Sequence, residues 1–156
     1  MENSSNVFAE AEPRTYWPMA RAANADLLVV SMPRVNLLLT GTDDLIQLAL
    51  LHFIPSLCGP VEIWTPKGRL QLPPPSQVGT LILRDVHALP SFDQYRLLKW
   101  LELPNLRTRV ISTTSAPLRE RVDEGWFDAA LFLRLNVACV DLMALARGRG
   151  TRTTLS

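Results

Sequence analysis

Three groups of residues have the types needed for chemistry. The first is Arg84-Asp85, which ends the apolar run Leu81-Ile82-Leu83, with His87 and Ser91 close behind. Asp85 has the type of a general base, His87 that of an acid or a base, and Ser91 with His87 that of a nucleophile and its activator. The second group is Gly41-Thr42-Asp43-Asp44, which follows the run Asn36-Leu37-Leu38-Leu39-Thr40. The third is Thr113-Thr114-Ser115, hydroxyls that close another apolar stretch, with Arg134 downstream as a cation suited to a phosphate.

Each has a plainer role beside the chemical one. Asp85 can pair with Arg84 or another surface arginine, and His87 can be an exposed turn residue. Ser91 and His87 lack an oxyanion motif and an orienting acid. Arg134 can tie its helix to Asp128 or Glu124, and the three hydroxyls can bond nearby backbone. His52 is expected to pack on a helix face, and Trp64 and Trp126 to fill the core rather than line a ligand.

The elements that would position these groups alternate. Strands are expected at residues 36–40, 61–64, 79–83, 109–113 and 136–140, because each is a short apolar run bounded by turn residues. Helices are expected at 44–54 with Leu45, Leu48, Ala49, Leu51 and His52 inward, and at 92–102 with Tyr95, Leu98 and Leu101 inward. Shorter helices are expected from Pro117 to about Gly125 and over 126–135. Residues 65–77, with Pro73-Pro74-Pro75, suit a stiff extended crossing. Residues 16–24 suggest a short helix with Trp17 and Met19 packed on the domain, and Asp26-Leu27-Leu28-Val29-Val30 fits an edge strand or that helix's end. Strands alternating with helices predict a parallel sheet covered on both faces.

A chain of 156 residues with 47% hydrophobic and 20% charged residues fits one domain, expected here over 15–145 with tails at 1–14 and 146–156. The net charge of +1 gives no basic footprint for nucleic acid. Cys58 and Cys139 form no metal or redox motif and are expected as buried, reduced thiols. The first residues hold no apolar signal core and no run spans a bilayer, so a cytoplasmic protein is expected.

Taken together, the order and wording resemble the AAA+ core of sigma-54-dependent transcription activators, the bacterial enhancer-binding proteins. The resemblance rests on Gly79-Thr80-Leu81-Ile82-Leu83-Arg84-Asp85, Leu89-Pro90, and Gln94 with Leu97, Leu98 and Leu101. It continues in Arg109-Val110-Ile111-Ser112-Thr113-Thr114-Ser115, Glu124-Gly125-Trp126-Phe127 and Leu131-Phe132-Leu133-Arg134-Leu135-Asn136-Val137. It implies a three-layer α/β sandwich of P-loop type, its five parallel strands in the order 5-1-4-3-2.

The resemblance also shows what differs. The family's phosphate loop, G-x-x-x-x-G-K-[ST], is reduced to Gly41-Thr42-Asp43-Asp44, leaving Gly41 and Thr42 as vestigial phosphate-loop positions. The two Mg²⁺-facing acids correspond to Arg84 and Asp85, and the final polar residue of the next strand to Ser115. The two arginines that reach a neighbouring subunit's phosphate correspond to Asp128 and Arg134. The sigma-contacting Gly-Ala-Phe-Thr-Gly-Ala loop, the helical lid and the DNA-binding domain have no counterpart in the sequence. Asp85 and Arg134 are thus vestigial catalytic candidates, with no metal site and no cofactor expected. The resemblance implies a non-hydrolysing domain acting through an unidentified protein partner, with no nucleic acid or membrane contact and with self-association left open. The alternative is a weak ATP-binding domain with residual hydrolysis through Gly41, Asp85 and Arg134. A receiver-like module using Asp43, Asp44 and Asp85 would need a strand-end lysine, and the sequence has none there.

Overall fold

The structure is a computed structural model and describes residues 34–57 and 59–147. Five parallel strands form one sheet: β1 (Leu37–Thr40), β2 (Val61–Trp64), β3 (Gly79–Leu83), β4 (Thr108–Thr114) and β5 (Ala138–Asp141), in the spatial order β2-β3-β4-β1-β5. This is the order the family resemblance implied. The helices are α1 (Asp43–Phe53), α2 (Ser91–Leu101), α3 (Leu118–Asp123), α4 (Ala129–Leu135) and α5 (Leu142–Ala146).

Alternation along the strands sends side chains to two cores. Leu37, Leu39, Ile82, Ile111 and Val140 meet α1 and α5 on one face. Leu38, Leu81, Leu83 and Val110 meet α2, α3 and α4 on the other. Burial on both faces explains the uninterrupted apolar runs.

The start of β1 is fixed by side chains as well as by the ladder. Asn36 accepts from the Val110 amide through Oδ1 (3.0 Å) and donates through Nδ2 to the Arg134 carbonyl (3.0 Å). The buried Arg109 donates through Nε to the Val35 carbonyl (2.7 Å), and burial lowers its pKa.

Two helix faces differ from expectation. In α1 the buried residues are Ile46, Ala49, Leu50 and Phe53, while Leu48 and Leu51 are 42% and 61% exposed and His52 is exposed, its ring edge-to-face with Phe53 at 5.4 Å. Residues 45–54 are apolar nearly all round, so periodicity permits more than one stripe. The stripe that docks carries Phe53 at i, i+3, i+4, i+7 spacing. In α2, Leu98 and Leu101 are buried as expected, but Tyr95 is 60% exposed and Gln94 lies inside. Gln94 Nε2 donates to the carbonyls of Leu89 (2.9 Å) and Trp126 (3.1 Å), and its Oε1 accepts from the Asp128 amide (2.8 Å). The amide thus joins α2 to the α3–α4 connection.

The crossing from β2 to β3 contains no helix. Its carbonyls are held by Trp64 Nε1 to Gly68 (2.9 Å), Trp100 Nε1 to Pro73 (2.9 Å) and Thr108 Oγ1 to Gln77 (2.7 Å). Helix α4 begins at Ala129 rather than 126, because Asp128 Oδ1 caps the Leu131 amide at 2.8 Å. Helix α5, unanticipated from sequence, starts where Asp141 Oδ1 accepts from Met143 (2.9 Å) and Ala144 (3.1 Å). The expected elements within 16–30, the tail at 1–14, most of the tail at 146–156, and Cys58 lie outside the described residues.

Replacing Gln94→Leu leaves a part-buried amide and two carbonyls to find new partners. The expected cost is about 1–3 kcal/mol, measured by urea unfolding against the parent chain.

Candidate functional site

The carboxyl edge of a parallel sheet is where loops gather and where α/β proteins place their ligands. Here β1 ends at Thr40 and α1 begins at Asp43, so only Gly41 and Thr42 lie between strand and helix. Gly41 donates its amide to the Thr114 carbonyl (3.3 Å), and the Thr42 carbonyl already accepts from Ile46 (2.9 Å) as the first helical bond. A β-carbon on Gly41 would lie 3.0 Å from Leu142 Cβ, so α5 packs tightly against this junction. Thr42 occupies the N-cap position without a side-chain cap bond. Asp43 and Asp44 instead place carboxylates in the first turn, where the helix dipole favours them.

Next along the edge, β3 ends and the chain turns at Asp85. Its φ of 51° and ψ of 50° are left-handed, a region that aspartate tolerates better than most residues. The Asp85 amide donates to Thr113 Oγ1 (3.3 Å), and its carbonyl accepts from Ala88 (2.8 Å). Among the described residues the ion pairs are Arg96–Asp93 and Lys99–Glu102, so the expected pairing of Asp85 with an arginine is not formed. The same is true of Arg134 with Asp128 or Glu124. Asp128 is used as a helix cap instead.

His87 is half-buried rather than an exposed turn residue, and its Nδ1 lies 2.9 Å from Thr114 Oγ1. Thr114 Oγ1 donates to the Ala116 carbonyl (2.9 Å) and accepts from the Ala116 amide (3.2 Å). The hydroxyl has one proton. With that proton on the Ala116 carbonyl, the imidazole donates from Nδ1 and leaves Nε2 as the acceptor. Burial lowers the His87 pKa; Asp85 raises it, Arg121 lowers it and Asp43 raises it, each by less than the burial effect.

The structure therefore brings Gly41, Thr42, Asp85, His87, Thr113 and Thr114 to one edge. Arg134 is not among them: its exposed residue sits on α4, with its backbone beside Asn36 at the other end of β1. Ser91 is exposed at the start of α2, where Pro90 holds the N-cap position. Trp64 is buried, as expected, but Trp126 is 70% exposed. Cys139 is a free, half-buried thiol; burial chiefly raises its pKa, Asp141 adds to this, and a bond to Thr40 opposes it. Sequence reasoning missed the His87–Thr114 pair. Its one signal was a polar residue, Thr114, closing an otherwise apolar strand. Among the described residues no group of three or more His, Cys, Asp or Glu could hold a metal ion, and no helix is long and apolar enough to cross a membrane.

The model of one family, described as the Sigma-54 interaction domain, matches residues 61–145, which is more than half of the chain. The chain belongs to the sigma-54 interaction domain family. It is 39% identical over 87 residues to the "Pathogenicity locus probable regulatory protein HrpR" of Pseudomonas syringae pv. syringae, a match that takes in 48% of this chain and 27% of that protein. The chain thus spans about a quarter of that relative's length. Among solved structures it resembles NtrX from Brucella abortus in complex with ADP, with a TM-score of 0.60 at 20% identity over 75% of this chain and 33% of that one. It also resembles the P-loop NTPase domain of a sigma-54 activator from E. coli, with a TM-score of 0.54 at 20% identity over 74% of this chain and 87% of that one. At such identities the likeness establishes the fold, a P-loop NTPase sandwich.

The His87 environment has a consequence for pH. Its folded pKa lies below its unfolded value of about 6.5, so the unfolded chain binds the proton first. Stability from this group is complete above about pH 6.5 and falls as pH drops through and below that value. The pH dependence of unfolding free energy between pH 7 and 5 should be shallower in His87→Asn than in the parent.

Proposed function

We propose that this sigma-54 interaction domain does not hydrolyse ATP and works through contacts with a protein partner in bacterial transcription regulation. The observation that carries the proposal is the junction of Gly41 and Thr42 between β1 and α1. A triphosphate needs a longer loop whose backbone amides point at its oxygens, followed by a lysine and a hydroxyl. Here the Gly41 amide donates to the Thr114 carbonyl, and Leu142 packs against one side of Gly41, where an added β-carbon would come within 3.0 Å of Leu142 Cβ.

Electrostatics argue the same way. Asp43 and Asp44 supply negative charge at the helix N-terminus, where a phosphate would bring its own. Arg84 stands where the resemblance expects a metal-facing acid, and a guanidinium repels Mg²⁺. Asp85 keeps an acid at the second of these two positions. The residues at this edge do not fit Mg²⁺-ATP, and no catalytic step is assigned to them.

The regulatory part of the proposal draws on family membership and on the likeness to a protein named as a probable regulator. The surface available for a partner includes Phe92 at 72%, Tyr95 at 60% and Trp126 at 70% exposure, large side chains of the kind enriched at interfaces.

Calorimetric titration with Mg²⁺-ATP, run alongside a phosphate-release assay, tests the proposal. No saturable binding up to about 1 mM and no turnover above the buffer rate are expected. Micromolar binding that Asp85→Ala abolishes would overturn it in favour of a weak ATP-binding domain.

A further inference from the structure

Trp126 presents a 70% exposed indole on a backbone that is held at three points. Its amide donates to the Arg121 carbonyl (2.8 Å), and its carbonyl accepts from Gln94 Nε2 (3.1 Å). The next residue, the buried Phe127, donates its amide to the same Arg121 carbonyl (3.1 Å). Gly125 makes the turn before it with a φ of 80°, which glycine adopts without strain. A large ring on a fixed backbone loses little conformational freedom when something binds to it.

The indole is a wall shared by two hollows. One, of about 240 Å³, is lined by Tyr95, Trp126 and Asp128 among others. The other, of about 470 Å³, is lined by Trp126, Pro117, Glu120, Arg121 and Glu124. Neither lining contains Gly41, Thr42, Asp85, His87, Thr113 or Thr114. Glu120, Glu124 and Asp128 are exposed, whereas Arg121, the cation in these linings, is half-buried. The charge that an approaching molecule meets is therefore negative.

We propose that Trp126 docks a basic segment of a protein partner, an arginine or lysine seated on the indole and drawn there by Glu120, Glu124 and Asp128. The proposal rests on the partner-binding reading above and supplies the chemistry of the partner. A cation is attracted to the face of an aromatic ring, and most strongly to tryptophan. Carboxylates around that ring complement the same cation, whereas an acidic segment would meet like charge at all three. Tyr95 is the wall rather than the seat, because Lys99 Nζ already lies 5.6 Å from its ring centre and pairs with Glu102 (3.1 Å). Exposed carboxylates are screened by salt, so binding should weaken as ionic strength rises.

The test titrates the full chain with three synthetic peptides of equal length, alternating alanine with arginine, glutamate or serine. Binding is read by calorimetry and located by the indole NMR resonance of Trp126. The arginine peptide should bind saturably below about 1 mM and shift that resonance, the other two should not, and Trp126→Ala should weaken binding at least about tenfold. The side chain is exposed and its backbone bonds remain in alanine, so this variant should keep the parent's unfolding midpoint. Glu120→Lys with Glu124→Lys should reverse the preference toward the glutamate peptide. No saturable binding of the arginine peptide, equal binding of the arginine and glutamate peptides, or unchanged affinity in Trp126→Ala overturns the proposal. So does a Trp126 resonance that moves, before any peptide is added, on dilution or on Arg149→Ser with Arg152→Ser; the first assigns the surface to a second copy and the second to this chain's own basic end. Turnover of Mg²⁺-ATP by the same sample would sink the non-hydrolysing reading and leave the peptide result standing, so the two failures are distinguishable.

Discussion

Gly41 donates its amide to the carbonyl of Thr114, and the helix begins two residues later. This bond between the ends of β1 and β4, at 3.3 Å, constrains what surrounds it. It draws α1 over the strand end, so that Ile46, Ala49, Leu50 and Phe53 reach the core beside Leu37 and Leu39. It also lets α5 close in from the other side, with Leu142 against Gly41. A longer junction would free backbone amides at the sheet edge; this one spends the Gly41 amide on the fold itself.

The neighbouring turn is held to the same strand. Asp85 donates its amide to Thr113, and His87 reaches Thr114, so consecutive β4 hydroxyls tie the β3 turn to the sheet. In a P-loop fold this edge is where ligand chemistry is placed, because strand ends and loops converge there. In this chain the Gly41 and Asp85 amides and the His87 Nδ1 are all engaged by groups of β4. Family membership and architecture are thus separable from the chemistry of the edge: the first follows from residues 61–145 and the sheet order, the second from side chains that differ along that edge.

Much of the architecture was legible in the sequence because the strands are short apolar runs punctuated by glycine, proline or charge. The order of the sheet came from the resemblance rather than from any local pattern. The inward faces of the helices were harder. In α1 leucine occurs on every side, so periodicity alone does not choose between stripes. In α2 a glutamine takes an inner position because three backbone groups need it, and no hydrophobic pattern announces that. The shortened junction at Gly41 was visible as missing residues, while its consequence, an amide turned to Thr114, required coordinates. The left-handed turn at Asp85 and the hydrogen bond of His87 depend on the approach of β4 to β3, and sequence separation hid both. Arg134 entered through the resemblance, as a residue reaching a neighbouring subunit's phosphate, and its backbone lies beside Asn36 at the start of β1.

The Gly41–Thr114 bond is directly observable by amide NMR. With the backbone assigned, Mg²⁺-ATP is added in steps while the Gly41 and Thr42 resonances and the exchange of the Gly41 proton are followed. A sealed junction predicts a slowly exchanging Gly41 amide whose shift stays fixed throughout. A saturable shift of Gly41 and Thr42, with the Gly41 amide losing its bond to Thr114 and turning to the nucleotide, would contradict it.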